Sequence, residues 1–144
     1  MKKIFVIVSL LIVFHSKSVN AQSGGVTDTL SYLQTIVANK AQYIGHPFSV
    51  LYNSLQIQVK FFSPFASIPY AKHKETSTSF SYYFPTDSLN DFYLTYPKLE
   101  IFWQTPLNAN LSDVIWQNNN GGGWNTNSYN FYKDAIITNL KVRE

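Results

Sequence analysis

The chain has 144 residues, eleven Lys and Arg against eight Asp and Glu, 45% hydrophobic and 17% aromatic residues, and no cysteine. That composition excludes a disordered chain, a disulfide scaffold and a collagen-like protein, and leaves one small globular domain. Charged residues make up only 13%, about half the ordinary ~25% share, so serine, threonine and asparagine must carry much of the surface solvation.

Lys2 and Lys3 precede an apolar run from Ile4 to Phe14, which turns polar through Ser16, Lys17 and Ser18 and reaches Val19-Asn20-Ala21. A cationic end, a short apolar core and small residues before a cleavage point are the layout of a secretory signal peptide. Residues 1–21 are therefore expected to be removed, with cleavage after Ala21. The apolar run has eleven residues, well short of the roughly 20 that span a hydrocarbon core. No cysteine follows it to accept a lipid, so the product is expected to be exported without an anchor, to the periplasm or the cell exterior. Lys2, Lys3 and Lys17 fall in the removed segment, which leaves eight basic residues against eight acidic ones. That neutrality, with the basic residues scattered from Lys40 to Arg143, speaks against a nucleic-acid partner.

Residues 22–26, with Gly24-Gly25, read as a flexible leader, and residues 27–144 as one domain. Leu30, Leu33, Ile36/Val37, Ala41 and Ile44 recur at helical spacing, with Thr27 or Asp28 as a cap and Gly45 and Pro47 as stops. Pro47 suits the first turn of a second helix bearing Phe48, Leu51, Tyr52 and Leu55 on one face. The period then falls to two: Ile57, Val59 and Phe61 alternate with Gln56, Gln58 and Lys60, predicting an antiparallel strand closed by Pro64 and Pro69. Tyr70 to Thr76 reads as a solvated connection. Phe80, Tyr82 and Phe84 predict a second strand stopped by Pro85. A turn from Thr86 to Asp91 leads to Phe92–Tyr96 and then Leu99, Ile101 and Trp103, one bent strand or two, with Trp103 in the core and Pro97 at an edge or bulge.

Asn110 and Asp113 suggest a capped helix from Leu111 to Gln117 with Leu111, Val114 and Ile115 on its buried face. Three asparagines and Gly121-Gly122-Gly123 end it, as a flexible tip. A helical turn near Tyr129–Tyr132 precedes a last strand, Ala135–Val142, with Ile136, Thr138, Leu140 and Val142 on one side. No repeat or long linker divides the chain, so the expected fold is α+β, short helices packed on one face of a twisted antiparallel sheet of about four to five strands.

Chemistry-bearing residues are sparse. After cleavage only His46 and His73 remain, and no HExxH or Cys/His spacing is present, so neither metal nor cofactor is expected. His46 beside Pro47 suits a helix C-terminus. His73-Lys74-Glu75 offers an acid, a base and a cation, the basis of an alternative reading as a small envelope hydrolase using His73 and Glu75; the competing reading is a charged loop. Asp87 and Asp91 flank a turn rather than a cleft, and no Gly-x-Ser-x-Gly elbow or phosphate-binding glycine loop exists. No catalytic residue is assigned.

Trp116, Trp124, Asn125 and Asn127 put flat rings beside amides, a combination that stacks on the apolar face of a sugar and bonds its hydroxyls, or that contacts a peptide. The competing use of the tryptophans is in the core or as loop anchors. Tyr83 and Phe102 point away from the core side of their strands. The functional expectation is a non-catalytic binding domain for a carbohydrate or peptide. A further alternative is a structural or accessory subunit that binds another envelope protein.

Met1-Lys2-Lys3, the junction Asn20-Ala21-Gln22, the stretch Tyr43-Ile44-Gly45-His46-Pro47-Phe48 and the closing Phe131-Tyr132-Lys133 to Val142-Arg143 segment together resemble small uncharacterised exported proteins of Bacteroidota-type bacteria. The resemblance covers the ends better than the middle. It implies a bacterial envelope or extracellular setting and brings no catalytic motif with it.

Overall fold

The computed structural model describes residues 28–83 and 96–144. The signal segment 1–21, the leader 22–26, Thr27, the strand end at Phe84 and Pro85, the turn bearing Asp87 and Asp91, and Phe92 to Thr95 lie outside the described residues. Within them the order is α1 (Thr29–Ala38), a 3₁₀ turn (Lys40–Gln42), α2 (Phe48–Ser54), β1 (Phe61–Phe65), β2 (Lys74–Ser81), β3 (Lys98–Asn108), α3 (Ala109–Asn118), α4 (Thr126–Tyr132) and β4 (Ile137–Arg143). The strands form one antiparallel sheet in the order β1-β2-β3-β4. This is an α+β fold.

Helix α1 starts at Asp28, whose carboxylate accepts from the Ser31 amide at 3.1 Å and the Ser31 hydroxyl at 2.6 Å. Those two donors hold the Asp28 carboxyl below its usual range. The helix ends at Ala38, before the predicted Ala41 and Ile44. The 3₁₀ turn redirects the chain so that Tyr43, not Ile44, enters the core, and Gly45 then turns at φ +80°. Pro47 is the cap of α2 rather than its first residue.

Leu33 and Ile36 of α1, Phe48 and Leu51 of α2 and Tyr132 of α4 join Phe62, Phe80, Leu99, Ile101, Trp103, Ile137 and Leu140 from the sheet in one buried cluster. The core is strongly aromatic. Phe48 stacks on Phe80 at 4.9 Å and Trp103 on Tyr132 at 5.7 Å, while Phe62 meets Tyr132 edge-on. Such pairs add about 0.5–1.5 kcal/mol each beyond the area they bury, and together they hold a domain that has no cysteine for a crosslink.

Two irregularities shift the alternation that the sequence suggested. Phe102 pairs with Asn139 and Trp103 with Ile137, so Thr138 is the extra residue of a bulge. Ile137 therefore turns inward beside Leu140. Thr138, expected on the core side with Ile136, is exposed and donates to the Phe102 carbonyl at 3.1 Å. Between β2 and β3, Glu75 pairs with Leu107 and Ser77 with Phe102, a step of two against a step of five. There the last three residues of the expected solvated connection prove to be strand, while Tyr70 to His73 form the turn before it. β2 begins at Lys74, and Glu75 and Thr78, three residues apart, both point into the core.

β1 begins at Phe61, later than predicted, and Pro64 lies inside it, which an edge strand tolerates. Helix α3 starts two residues earlier than expected, with Asn108 as its cap in place of Asn110. Its buried residues are Ala109 and Ser112, and Leu111 and Val114 are 54% and 53% exposed. Small side chains let this helix approach closely, so Leu111 and Val114 face outward, whereas Ile115 is half-buried against the core as expected.

The opposite side of the sheet is polar. Glu100 is buried there, gripped by Arg143 through two bonds of 2.7 and 3.0 Å and by the Ser77 hydroxyl at 3.1 Å. Phe102 lies half-buried on that side under the Lys141 ammonium, 5.0 Å from its ring centre. Tyr83, beyond the end of β2, does not keep to that side: it stacks on Tyr96, and its hydroxyl is hydrogen-bonded to that of Thr29, on the buried face of α1, at 2.6 Å. No helix among the described residues is long and apolar enough to cross a membrane.

Candidate functional site

Trp124 is placed by the glycines before it. The Gly121 and Gly122 amides return to the Trp116 carbonyl at 3.1 and 2.9 Å, with φ of +80° and +98°. The chain then runs beside β1: Phe62 N–H donates to the Gly122 carbonyl, Gly123 bridges Phe61, and Trp124 N–H donates to the Lys60 carbonyl, the outer two bonds each 2.9 Å. The glycine run is therefore a fitted part of the sheet margin, not a flexible tip. Glycine is required because the backbone passes too close for a side chain.

Helix α4 follows directly. Asn125 caps it, its side-chain carbonyl accepting from the Asn127 and Ser128 amides at 2.9 and 3.1 Å, while its amide donates to Asn119 at 2.7 Å. The helix runs from Thr126 to Tyr132, longer than the single turn expected, and carries Tyr129 toward α2. The Tyr129 ring lies 4.8 Å from that of Tyr52, which in turn lies 5.8 Å from Trp124. The Trp124 indole N–H donates to the Tyr52 hydroxyl at 3.1 Å, so Tyr52 and Trp124 fix each other's orientation.

These three rings border a recess of about 270 Å³ whose remaining walls are Gln58, Asn125 and Thr126. Of the four residues singled out from sequence, Trp124 and Asn125 line it. Trp116 and Asn127 do not. The Trp116 ring, 37% exposed, rests against Gly121 and Gly122, and Asn127 is exposed on the first turn of α4, its backbone amide bonded to Asn125. The sequence reading missed Tyr52, Gln58 and Tyr129. Tyr52 sits within an apolar helical repeat, and its partner Trp124 is 72 positions away.

His73 and Glu75 do not converge. His73 is exposed in the turn before β2, whereas Glu75 is completely buried. Its Oε1 accepts from the Thr78 hydroxyl and, at 3.0 Å, from the Tyr132 hydroxyl, and the Trp103 indole N–H donates to Thr78 at 2.9 Å. Oε2 has no donor. Ser112 neighbours the carboxyl but directs its own hydrogen to the Ala109 carbonyl at 3.0 Å. Burial pushes the Glu75 carboxyl above the usual range against the pull of its hydroxyl and indole neighbours. Burial likewise pushes the Tyr132 phenol far up, reinforced by the Glu75 charge. With no opening to solvent, this cluster belongs to the core.

Among the described residues no group of three or more His, Asp or Glu side chains could hold a metal ion. No family model, curated protein or solved structure matches the chain.

Proposed function

We propose that this chain is an exported, non-catalytic binding domain whose ligand is a carbohydrate seated between Tyr52, Trp124 and Tyr129. The observation that carries the reading is the convergence of three aromatic rings with Gln58, Asn125 and Thr126 around one recess. A pyranose ring has an apolar C–H face and a rim of hydroxyls. Aromatic faces bury the first with few torsions to freeze, and amide and hydroxyl groups answer the second. Export rests on the Lys2–Ala21 segment, whose layout is that of a cleaved signal.

A glycan array followed by titration of intrinsic fluorescence tests the ligand class, because Trp124 lies in the recess wall. Binding should shift or quench the emission, and Tyr129→Ala should abolish the response. Absence of binding across diverse glycans, or binding of peptides in their place, overturns the reading. For export, intact-mass measurement on material from the producing cell should find a chain beginning at Gln22; a product retaining Met1 overturns that part.

A further inference from the structure

The recess beside Trp124 has a neighbour. A second hollow of about 290 Å³ is lined by Tyr52, Leu55, Gln56, Ile57, Gln58 and Val59, and so shares Tyr52 and Gln58 with the first. Each hollow alone falls just below the roughly 300 Å³ at which small-molecule sites begin, whereas the pair lies within that range.

The local chain explains the continuity. Helix α2 stops at Ser54, and Leu55 adopts φ −66° and ψ 130°, which sends the backbone onward in an extended path. The Gln56 amide is anchored by the Tyr32 hydroxyl at 2.8 Å. Along this path Leu55, Ile57 and Val59 sink toward the core while Gln56 and Gln58 stay exposed. The result is a row of amides over an apolar floor, leading away from the aromatic recess.

Side-chain chemistry supplies the second constraint. No Asp, Glu, Lys, Arg or His is among the residues that line either hollow. The Lys60 ammonium donates to the side-chain carbonyl of Gln58 at the shared wall, and hydroxyl groups of a ligand can be matched by the wall amides.

We infer that the two hollows are adjoining subsites of one groove, joined at Tyr52 and Gln58, that takes a linear oligosaccharide of at least two rings. The inference rests on the carbohydrate reading above and names the ligand's length.

The test titrates the purified protein, by fluorescence and calorimetry, with malto-, cello-, manno- and chito-oligosaccharides of one to four rings. For a series that binds, affinity should rise about tenfold or more between one ring and three. Gln56→Ala, which truncates an exposed side chain and leaves the backbone bond to Tyr32 in place, should remove most of that gain and leave the single-ring affinity unchanged. Affinity independent of chain length overturns the shared groove and leaves the single-recess reading standing. Failure of every sugar to bind overturns both readings.

Discussion

The Phe62 amide donates to the Gly122 carbonyl at 2.9 Å, and a Cβ added to Gly122 would stand 2.4 Å from the Phe62 carbonyl oxygen and 2.5 Å from Trp116 Nε1. With φ at +98° the position is strained for any L side chain, and the nearest obstacle is backbone. Gly122→Ala should therefore destabilise the fold by about 2–4 kcal/mol, read as a lower urea midpoint with an unchanged slope. A loss under about 0.5 kcal/mol, the range of an ordinary surface change, would show that the segment moves aside freely.

Glu75 gives stability a particular pH dependence. Its carboxyl binds a proton more tightly when buried than in the unfolded chain, so the contribution of the protonated acid is complete below the unfolded value near 4.5. It is lost progressively as pH rises toward the raised folded value, at up to about 1.4 kcal/mol per pH unit. Protonated at Oε2, the acid also gains a hydrogen to offer the neighbouring Ser112 oxygen. Glu75→Gln keeps the shape without the charge, so thermal scans from pH 4 to 9 should show a flatter profile and a higher midpoint than the parent at the alkaline end. A parallel shift at every pH would remove Glu75 as the cause.

Arg143 is 60% exposed at its side chain, yet it neutralises Glu100, which is 3% exposed. Arg143→Ala leaves that carboxylate under cover with only Ser77 as a donor, at an expected cost of about 1–3 kcal/mol. Adding Glu100→Gln to Arg143→Ala should recover part of the loss. Additive single effects in the double-mutant cycle would show that the pair is uncoupled.

Asn125 both caps α4 and borders the recess. Asn125→Ala should cost about 1 kcal/mol, whereas Asn125→Asp retains an acceptor for the Asn127 and Ser128 amides and loses only the donor to Asn119. Denaturation should thus separate the two variants. Equal destabilisation would place the contribution in the Asn119 bond instead of the cap.

What could be read from sequence followed from local spacing. Apolar repeats at three and four placed α1 and α2, alternation placed Leu99, Ile101 and Trp103 inward, and Trp124 with Asn125 reached the edge of the recess. What escaped depends on contacts between distant segments. The bulge at Thr138 turns Ile137 inward in its place, while Leu140 and Val142 keep the expected side, only because Phe102 and Trp103 lie opposite, and Glu75 reads as a loop charge until the β2–β3 register shift carries it inside. The glycine run resembles a loose tip in composition, and its fitted role exists only beside Phe62. Helix α3 shows a conventional apolar stripe, but close approach selects Ala109 and Ser112, so size outweighs hydropathy. Tyr52 and Tyr129 become neighbours only once α4 folds back on α2.

The short splint from Gly122 to Trp124 also bears on how the folded molecule avoids self-association. A bare outermost strand presents a ready template onto which a second copy can zip, the first step toward fibrils. Along Lys60–Phe62 two of those peptide groups are already occupied internally, so growth from this side must first peel the splint away. A molecule with no cysteine for crosslinks thereby acquires a kinetic guard against self-templating.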